Sequence, residues 1–498
     1  MSTVVFSAMT EGVASKIVGV ETELARGMPY FIMVGLADTE VTEAKERVRT
    51  AILSSGFEFP RFRKVINLAP SNLRKHGTQF DLPIAVGLLA ATAKIKPDLL
   101  DSSVFIGELA LGGAIRGVRG TLSMVEEAKN AGFKRVFVSA DRAKEAGLVP
   151  GIEIFIPKNL KELVSHLNGG KEVTKYSVEK FEIKRPEGTV GIKGHSIVKR
   201  ALSIAISGRH HIVLVGAAGM GKTILAKSVT GLMPPLSQED ISEIVKVYSS
   251  FTDDDLSSGI ERPFREISNT VSVGTLIGGG SKLRAGEMTL AHKGVLMTDD
   301  IHTFSRAHVE ALLKPMEEKV VLVSTGKKKV LLPADFSLIA TMNPCPCGER
   351  LAYNDFKCGC KSSEVKRFLS KFPQAFWDRV DMVLEVPRLE EEDLTPDDAN
   401  VRGVDLKKIY ERQHGRLSKF GLKFNGEMDV AIVGNACELK KGASELLNRA
   451  LAANMVSGRG YFNTIKVARS IADFEDHKDI EPSDIAEALS YRKSSATI

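Results

Sequence analysis

The sequence predicts an α/β protein in three parts. These are a mixed α/β region, a second α/β region around a phosphate-binding loop, and a helical C-terminal region. Three observations predict it. Residues up to about 168 alternate β-like and helical stretches. From His211 a short apolar run leads directly into a glycine-rich loop and a helical pattern. Beyond Glu390, β-branched runs give way to amphipathic helical periodicity.

The 498 residues fit about three domains at roughly 150 residues each. Hydrophobic residues make up 43% and charged residues 26%. That balance excludes a mostly disordered chain, a collagen-like repeat and a small disulfide scaffold. The net charge of +6 is too mild to indicate a nucleic-acid partner, unless the positive groups cluster. Residues 1–20 lack the basic segment and apolar core of a secretory signal. The longest apolar run, 82–93, lies between Asp81 and Lys94 and falls far short of the ~20 residues that span a bilayer. Four of the five cysteines crowd into 345–360. Scattered disulfides are therefore not expected, and the compartment reads as reducing and cytoplasmic, with no membrane partner.

In the first region (1–168), strands are expected at 30–34, 104–106, 135–138 and 153–156, with helices at 43–53, 83–93 and 123–130. Residues 169–188, with Gly169-Gly170, mixed charge and Pro186, read as a linker. The second region spans 189–388 and the third 389–498, where 439–456, 464–474 and 483–491 lay out as amphipathic helices.

The apolar run 211–215 leads into Gly216, Ala217, Ala218, Gly219, Met220, Gly221, Lys222 and Thr223, a full G-x-x-x-x-G-K-[ST] loop. The glycines let backbone N–H groups turn toward phosphate. Lys222 neutralises β- and γ-oxygens, Thr223 can ligate Mg²⁺, and the following helix, expected over 223–233, adds its positive end. ATP and Mg²⁺ are the expected cofactors.

A second strand, 294–298, ends in Asp299 and Asp300. Asp299 suits the magnesium shell, and Asp300 is expected to orient the attacking water. An aspartate reaches one methylene less far than glutamate, so slow turnover is expected. A helix cap is the plainer reading of the two acids. A third strand, 336–342, ends in Asn343, placed to position a water near a γ-phosphate, or else a simple turn residue before Pro344. Arg379 and Arg459 are candidates for the cation that phosphoryl transfer often takes from a neighbour, although either alone fits a surface ion pair.

Residues 320–325 and 330–332 flank Gly326, Lys327, Lys328 and Lys329, which read as a β-hairpin with a basic tip. Such a tip would grip phosphates without reading sequence, or be a solvated turn. Lys282 and Arg284 are weaker candidates of the same kind. Cys345, Cys347, Cys358 and Cys360 form C-x-C … C-x-C. Four thiolates can complete a structural Zn²⁺ site, or stay as reduced or redox-active thiols.

Three stretches together resemble the ComM/YifB family of Mg-chelatase-like AAA+ proteins. The first is Ile277-Gly278-Gly279-Gly280-Ser281 with Arg284-Ala285-Gly286-Glu287, Leu290-Ala291-His292 and Gly294-Val295-Leu296. The second is Met342-Asn343-Pro344-Cys345-Pro346-Cys347-Gly348. The third is Arg469-Ser470-Ile471-Ala472-Asp473. Val34-Gly35-Leu36-Ala37-Asp38-Thr39 and Asn67-Leu68-Ala69-Pro70 look like that family's first domain.

The resemblance implies a domain of Lon-protease/ribosomal-S5 type, a AAA+ core and a helical lid. It implies a homo-oligomeric ring, a hexamer, with ATP at subunit interfaces, Arg379 as a trans-acting finger and Arg459 as a lid sensor. It implies an ATP-driven motor on single-stranded or branched DNA, acting in branch migration during natural transformation. Two other readings share the core: a chelatase-type ATPase that remodels a protein partner, and a nucleotide-gated DNA-binding scaffold.

The sequence departs from the family pattern in Glu266-Ile267-Ser268-Asn269 after Arg262-Pro263-Phe264-Arg265, in Asp299-Asp300, and in Ala217-Ala218. The Lon-like domain has Phe80 and Asp81 where a protease of that type would place its serine, so no proteolysis is expected.

Overall fold

The computed structural model describes residues 2–36, 38–177, 181–184, 194–252, 259–280, 283–325, 328–350, 358–388 and 406–492. They form two compact units. The first is Met1–Glu182 with Gln238–Ile260, and the second is Ile183–Ser237 with Glu261–Ile498.

The first unit is a seven-stranded mixed sheet. Its order is Phe31–Val34, Arg63–Ala69, Ala14–Ala25, Ser2–Glu11, Ser103–Phe105, Arg135–Phe137, Glu153–Phe155. Ser2–Glu11 and Ala14–Ala25 make a long antiparallel hairpin turning at Gly12, which sits at φ +72°. Val18, Val20 and Thr22 face the core, while Glu21 and Glu23 face out. That alternation is the strand period. Polar residues interrupt the apolar ones, Ser7 and Thr10 in the first strand and Glu21 and Glu23 in the second, so a search for apolar runs finds no strand before residue 30.

Helix Thr39–Ser54 starts where Asp38 accepts from the Val41 N–H at 3.0 Å, and it buries Val41, Ala44, Val48, Ala51 and Ile52. Helix Asp81–Ala91 is buried on nearly every side. At its start Phe80 is fully buried, and Asp81 accepts two hydrogen bonds from Arg47 at 2.7 and 3.0 Å. The segment expected to be a linker begins as an extension of the sheet: Tyr176 N–H donates to Ile154 O at 2.8 Å, and Ile156 N–H to Thr174 O at 3.0 Å. Helix Gln238–Phe251, which falls within the stretch read as the phosphate-loop region, belongs to this first unit. There Gly120 N–H donates to Ser249 O at 2.8 Å.

The second unit is built on a five-stranded, wholly parallel sheet. Its order is Phe264–Ile267, Val295–Thr298, Ser337–Met342, Ile212–Val215, Met382–Glu385. Ile212–Val215 and Ser337–Met342 are buried at every position, as an interior parallel strand requires. Helices Leu406–Leu417, Val430–Ala436, Lys441–Ala452, Gly458–Phe474 and Pro482–Ser490 form the C-terminal region. They share one core with the sheet: Ile465, Ala468, Ile471 and Ile485 cluster with Ile212, Leu214 and Met382. Arg200 ties helix Ser196–Gly208 to Glu487 at 2.8 and 2.9 Å. Among the described residues, no helix is long and apolar enough to cross a membrane.

Candidate nucleotide-binding site

Parallel strands place all their C-terminal ends along one sheet edge, where ligands of open α/β sheets bind. Three adjacent strands therefore bring Gly216–Thr223, Asp299-Asp300 and Asn343 together. The loop after Ile212–Val215 turns through Gly219 and Gly221 at φ +78° and +77°, left-handed values that suit glycine. At Gly216 a Cβ would lie 2.9 Å from Val386 O, so glycine is required by close approach. Helix Lys222–Lys227 follows and tightens into a 3-10 turn over Ser228–Leu232, in place of the continuous helix expected to 233.

Lys222 lies nearly buried. Its Nζ donates to Gly216 O at 2.9 Å, Ala217 O at 2.8 Å and Asn343 Oδ1 at 3.0 Å. Burial pushes its pKa down, and the carboxylates of Asp300 and Asp299 act against that shift. Asp299 Oδ1 accepts from the hydroxyls of Thr223 at 2.8 Å and Thr341 at 2.7 Å. Thr341 Oγ1 in turn accepts from the Asp300 N–H at 2.7 Å, so one hydroxyl links both acids. Asp300 takes left-handed backbone, φ +49°, and its carboxylate is half-exposed, 3.8 Å from His302 Nδ1.

His302 packs against Asn343. Its Nδ1 faces the Asn343 N–H and its Nε2 the side-chain amide, each at 3.3 Å. A neutral imidazole has one acceptor nitrogen, so it serves one of these donors fully. Burial pushes the His302 pKa down, with Asp300 opposing. Chemically the edge offers an ammonium, a side-chain amide, and a hydroxyl–carboxylate pair. The hard oxygens of Thr223 and Asp299 are the donor type Mg²⁺ takes.

The two candidate arginines lie elsewhere on this unit. Arg379 follows the short helix Gln374–Trp377, and Arg459 sits in the first turn of helix Gly458–Phe474. Both guanidinium groups bond Glu317. Neither hydrogen-bonds a residue of the phosphate loop in its own chain, among the described residues.

The basic hairpin is Val320–Thr325 paired with Lys328–Pro333. Lys328 and Lys329, expected in its tip, are strand residues opposite Thr325 and Ser324. The ladder simply continues two pairs further than the apolar run suggests. Arg284 is exposed, on a two-residue strand opposite Gly279. Gly279 lies against Ser324, where a Cβ would be 3.1 Å from Ser324 O. This row leads from Arg284 toward Lys329. Lys282 and Lys327 lie outside the described residues, as does Ala37.

Cys345, Cys347, Cys358 and Cys360 bring their sulfurs within 4.8 Å of one another. The Cys345–Cys347, Cys345–Cys358 and Cys347–Cys358 separations are 3.3, 3.8 and 3.7 Å. Four sulfurs at the corners of a zinc tetrahedron stand about 3.8 Å apart. The Glu349 backbone N–H lowers the Cys347 thiol to about 7. Cys345 lies two residues after Asn343, and Gly348 approaches both Asn343 and Ala218.

Sequence reasoning passes over Thr341, His302 and Glu317. Thr341 shares the strand of Asn343 at a spacing of two, the same-face period. His302 follows the acidic pair by two residues. Nothing local distinguishes Glu317 from Glu318.

Comparison with known proteins matches residues 189–394 to magnesium chelatase, subunit ChlI. Residues 20–142 match subunit ChlI of Mg-chelatase, and 403–492 match the ChlI C-terminal region. The chain is 33% identical to competence protein ComM of Haemophilus influenzae, over 98% of this chain and 97% of that protein. It is 35% identical to the uncharacterized protein YifB of Salmonella typhimurium, over 97% and 95%. A shorter likeness, 25% over 158 residues, is to the magnesium-chelatase 67 kDa subunit of Chlorobaculum tepidum.

Proposed function

This chain belongs to the ComM/YifB family of magnesium-chelatase-like AAA+ proteins, and from that premise we propose that it is an ATP-hydrolysing ring motor, a hexamer, acting on single-stranded or branched DNA. The observation that carries the reading is the convergence of Lys222, Asn343, Thr223 and Asp299 at one sheet edge. The likeness to a competence protein favours a role in recombination during transformation.

In this reading the loop N–H groups and Lys222 hold the β- and γ-phosphates, and Thr223 with Asp299 holds Mg²⁺. The metal, when bound, neutralises phosphate charge. Asn343 and Asp300 orient the attacking water, and Thr341 keeps the two acids in register. Arg379, as a trans-acting finger, and Arg459, as a lid sensor, serve phosphate bound by an adjoining copy, since both guanidinium groups bond Glu317 and neither bonds the phosphate loop of its own chain among the described residues. Lys328, Lys329 and Arg284, with Lys327 and Lys282, grip the DNA backbone. The four-cysteine set fits Zn²⁺ in a structural role, because four sulfurs leave no open position.

The test is ATP turnover with Mg²⁺, with and without forked DNA. Stimulation by DNA is the expected result, and Lys327, Lys328 and Lys329 changed together to Ala weaken DNA binding and flatten its salt dependence. Removing one lysine–phosphate pairing lowers the log–log salt slope by about 0.7–0.9. Turnover indifferent to DNA, with unchanged affinity across the salt series, refutes the motor and favours remodelling of a protein partner.

A further inference from the structure

Arg379 and Arg459 come from separate helical segments, yet they end on one carboxylate. Arg379 Nη2 bonds Glu317 Oε2, and Arg459 Nη2 bonds Glu317 Oε1. The segments beneath them are joined as well. Asn463 Nδ2 donates to Asp378 O at 3.1 Å, and Ser457 Oγ lies 3.3 Å from Asp378 Oδ1. Arg379 is pinned further by Nη1 to Ala375 O at 2.8 Å, while its Nε is buried without a partner among the described residues.

Glu317 occupies the last turn of helix Arg306–Glu318, where the negative helix end disfavours a carboxylate. Burial pushes its pKa up, yet the two guanidinium groups hold it below the ordinary range. Among the described residues, the adjacent Glu318 pairs with Lys314 of its own helix, at 3.3 Å. Two guanidinium groups side by side repel, and one shared carboxylate removes that repulsion while leaving a net positive face.

We propose that Glu317 is a positioning residue for phosphoryl transfer, holding Arg379 and Arg459 as one cationic pair set to meet the triphosphate bound by an adjoining copy of this chain. This rests on the ATPase reading above. Each carboxylate oxygen serves one arginine, so a carboxamide, with a single acceptor, keeps one and turns an NH₂ toward the other. An aspartate keeps both acceptors but draws them back by one methylene.

The experiment compares ATP turnover of the full chain, with Mg²⁺ and forked DNA, in wild type, Glu317→Gln, Glu317→Asp and Glu318→Gln. Glu317→Gln is expected to lower kcat roughly tenfold to a hundredfold, the scale of a misplaced reacting group. KM stays within about threefold, because nucleotide is held by the loop of the other subunit. Glu317→Asp recovers part of the loss, and Glu318→Gln changes nothing. Arg459→Ala added to Glu317→Gln costs far less than it does alone, because the pair is already broken.

A kcat for Glu317→Gln equal to or above wild type overturns the proposal, as does a change confined to KM. Should Glu317→Gln fail to fold or assemble, Glu317→Asp decides, and wild-type turnover in that variant overturns it. Wild-type protein without any turnover overturns the ATPase reading and this proposal with it. Turnover in wild type with an indifferent Glu317 variant overturns this proposal alone.

Discussion

Asp300→Glu is the substitution that most directly probes the chemistry at the sheet edge. Asp300 sits at φ +49°, a left-handed conformation that aspartate tolerates better than glutamate. Its N–H is held by Thr341 Oγ1 at 2.7 Å, a backbone hydrogen bond that survives any side chain. Its carboxylate is half-exposed and 3.8 Å from the nearest ring nitrogen, so extension meets solvent rather than packed atoms. One methylene adds roughly 1.3–1.5 Å of reach. The backbone cost of glutamate there is about 0.5–1 kcal/mol. That is about 2–4 °C in melting temperature at the upper end.

Against this stands a geometric gain, since about 1 Å of misplacement can cost 10²-fold in rate. The expected outcome is a kcat raised roughly tenfold to a hundredfold. KM stays near wild type, because Lys222 and Thr223 are untouched. Steady-state ATP hydrolysis with saturating Mg²⁺ reads it, with melting as the control. A kcat unchanged or lowered in a protein that melts within a few degrees of wild type refutes the argument that a short arm limits turnover.

Lys222→Met keeps the stem and removes the ammonium. Mg-ATP at 100 times its Kd stabilises a binding protein by about 2.7 kcal/mol, and the variant is expected to lose that thermal shift and at least about a hundredfold in kcat/KM; a retained shift contradicts the role. Zinc, assayed by elemental analysis, is expected at one per chain, and Cys345→Ser or Cys358→Ser should lose it and lower the melting temperature; metal-free wild type purified with zinc present ends that assignment. Glu145 is buried, and burial raises its pKa from 4.5 to about 7, against pulls from the Ser249 hydroxyl and Arg142. The folded state thus holds a proton that the unfolded chain releases, so this stabilisation is complete below about pH 4.5 and is lost as pH rises through 7. Glu145→Gln should therefore flatten the fall in melting temperature between about pH 4.5 and 7 and be roughly 1–3 kcal/mol more stable at pH 8; an identical pH profile in the two proteins contradicts the burial argument.

Much of the nucleotide edge is legible in the chain because its parts are local. Gly216 to Thr223 is one loop, and Asp299 and Asn343 each end an apolar strand. Parallel pairing then sends those ends to one side without further instruction. The helices at 43–53, 83–93 and 123–130 are legible through apolar spacing, and the structure extends or shifts each by a few residues to Thr39–Ser54, Asp81–Ala91 and Thr121–Asn130. The hairpin Ser2–Glu11 and Ala14–Ala25 is not, because polar residues such as Ser7, Thr10, Glu21 and Glu23 interrupt its apolar ones. Lys328 and Lys329 fall in strand rather than turn because charge does not mark where a ladder ends.

Motif chemistry is therefore a property of short segments: backbone turns, side-chain type and spacing determine which groups can meet phosphate. Only the folded chain decides what distant residues share. Gln238–Ile260 joins the first unit although it lies between strands of the second. One hydroxyl, that of Thr341, serves both acids. Two arginines 80 residues apart divide the oxygens of Glu317. Such partnerships depend on how separate elements pack, and no window along the sequence contains both partners.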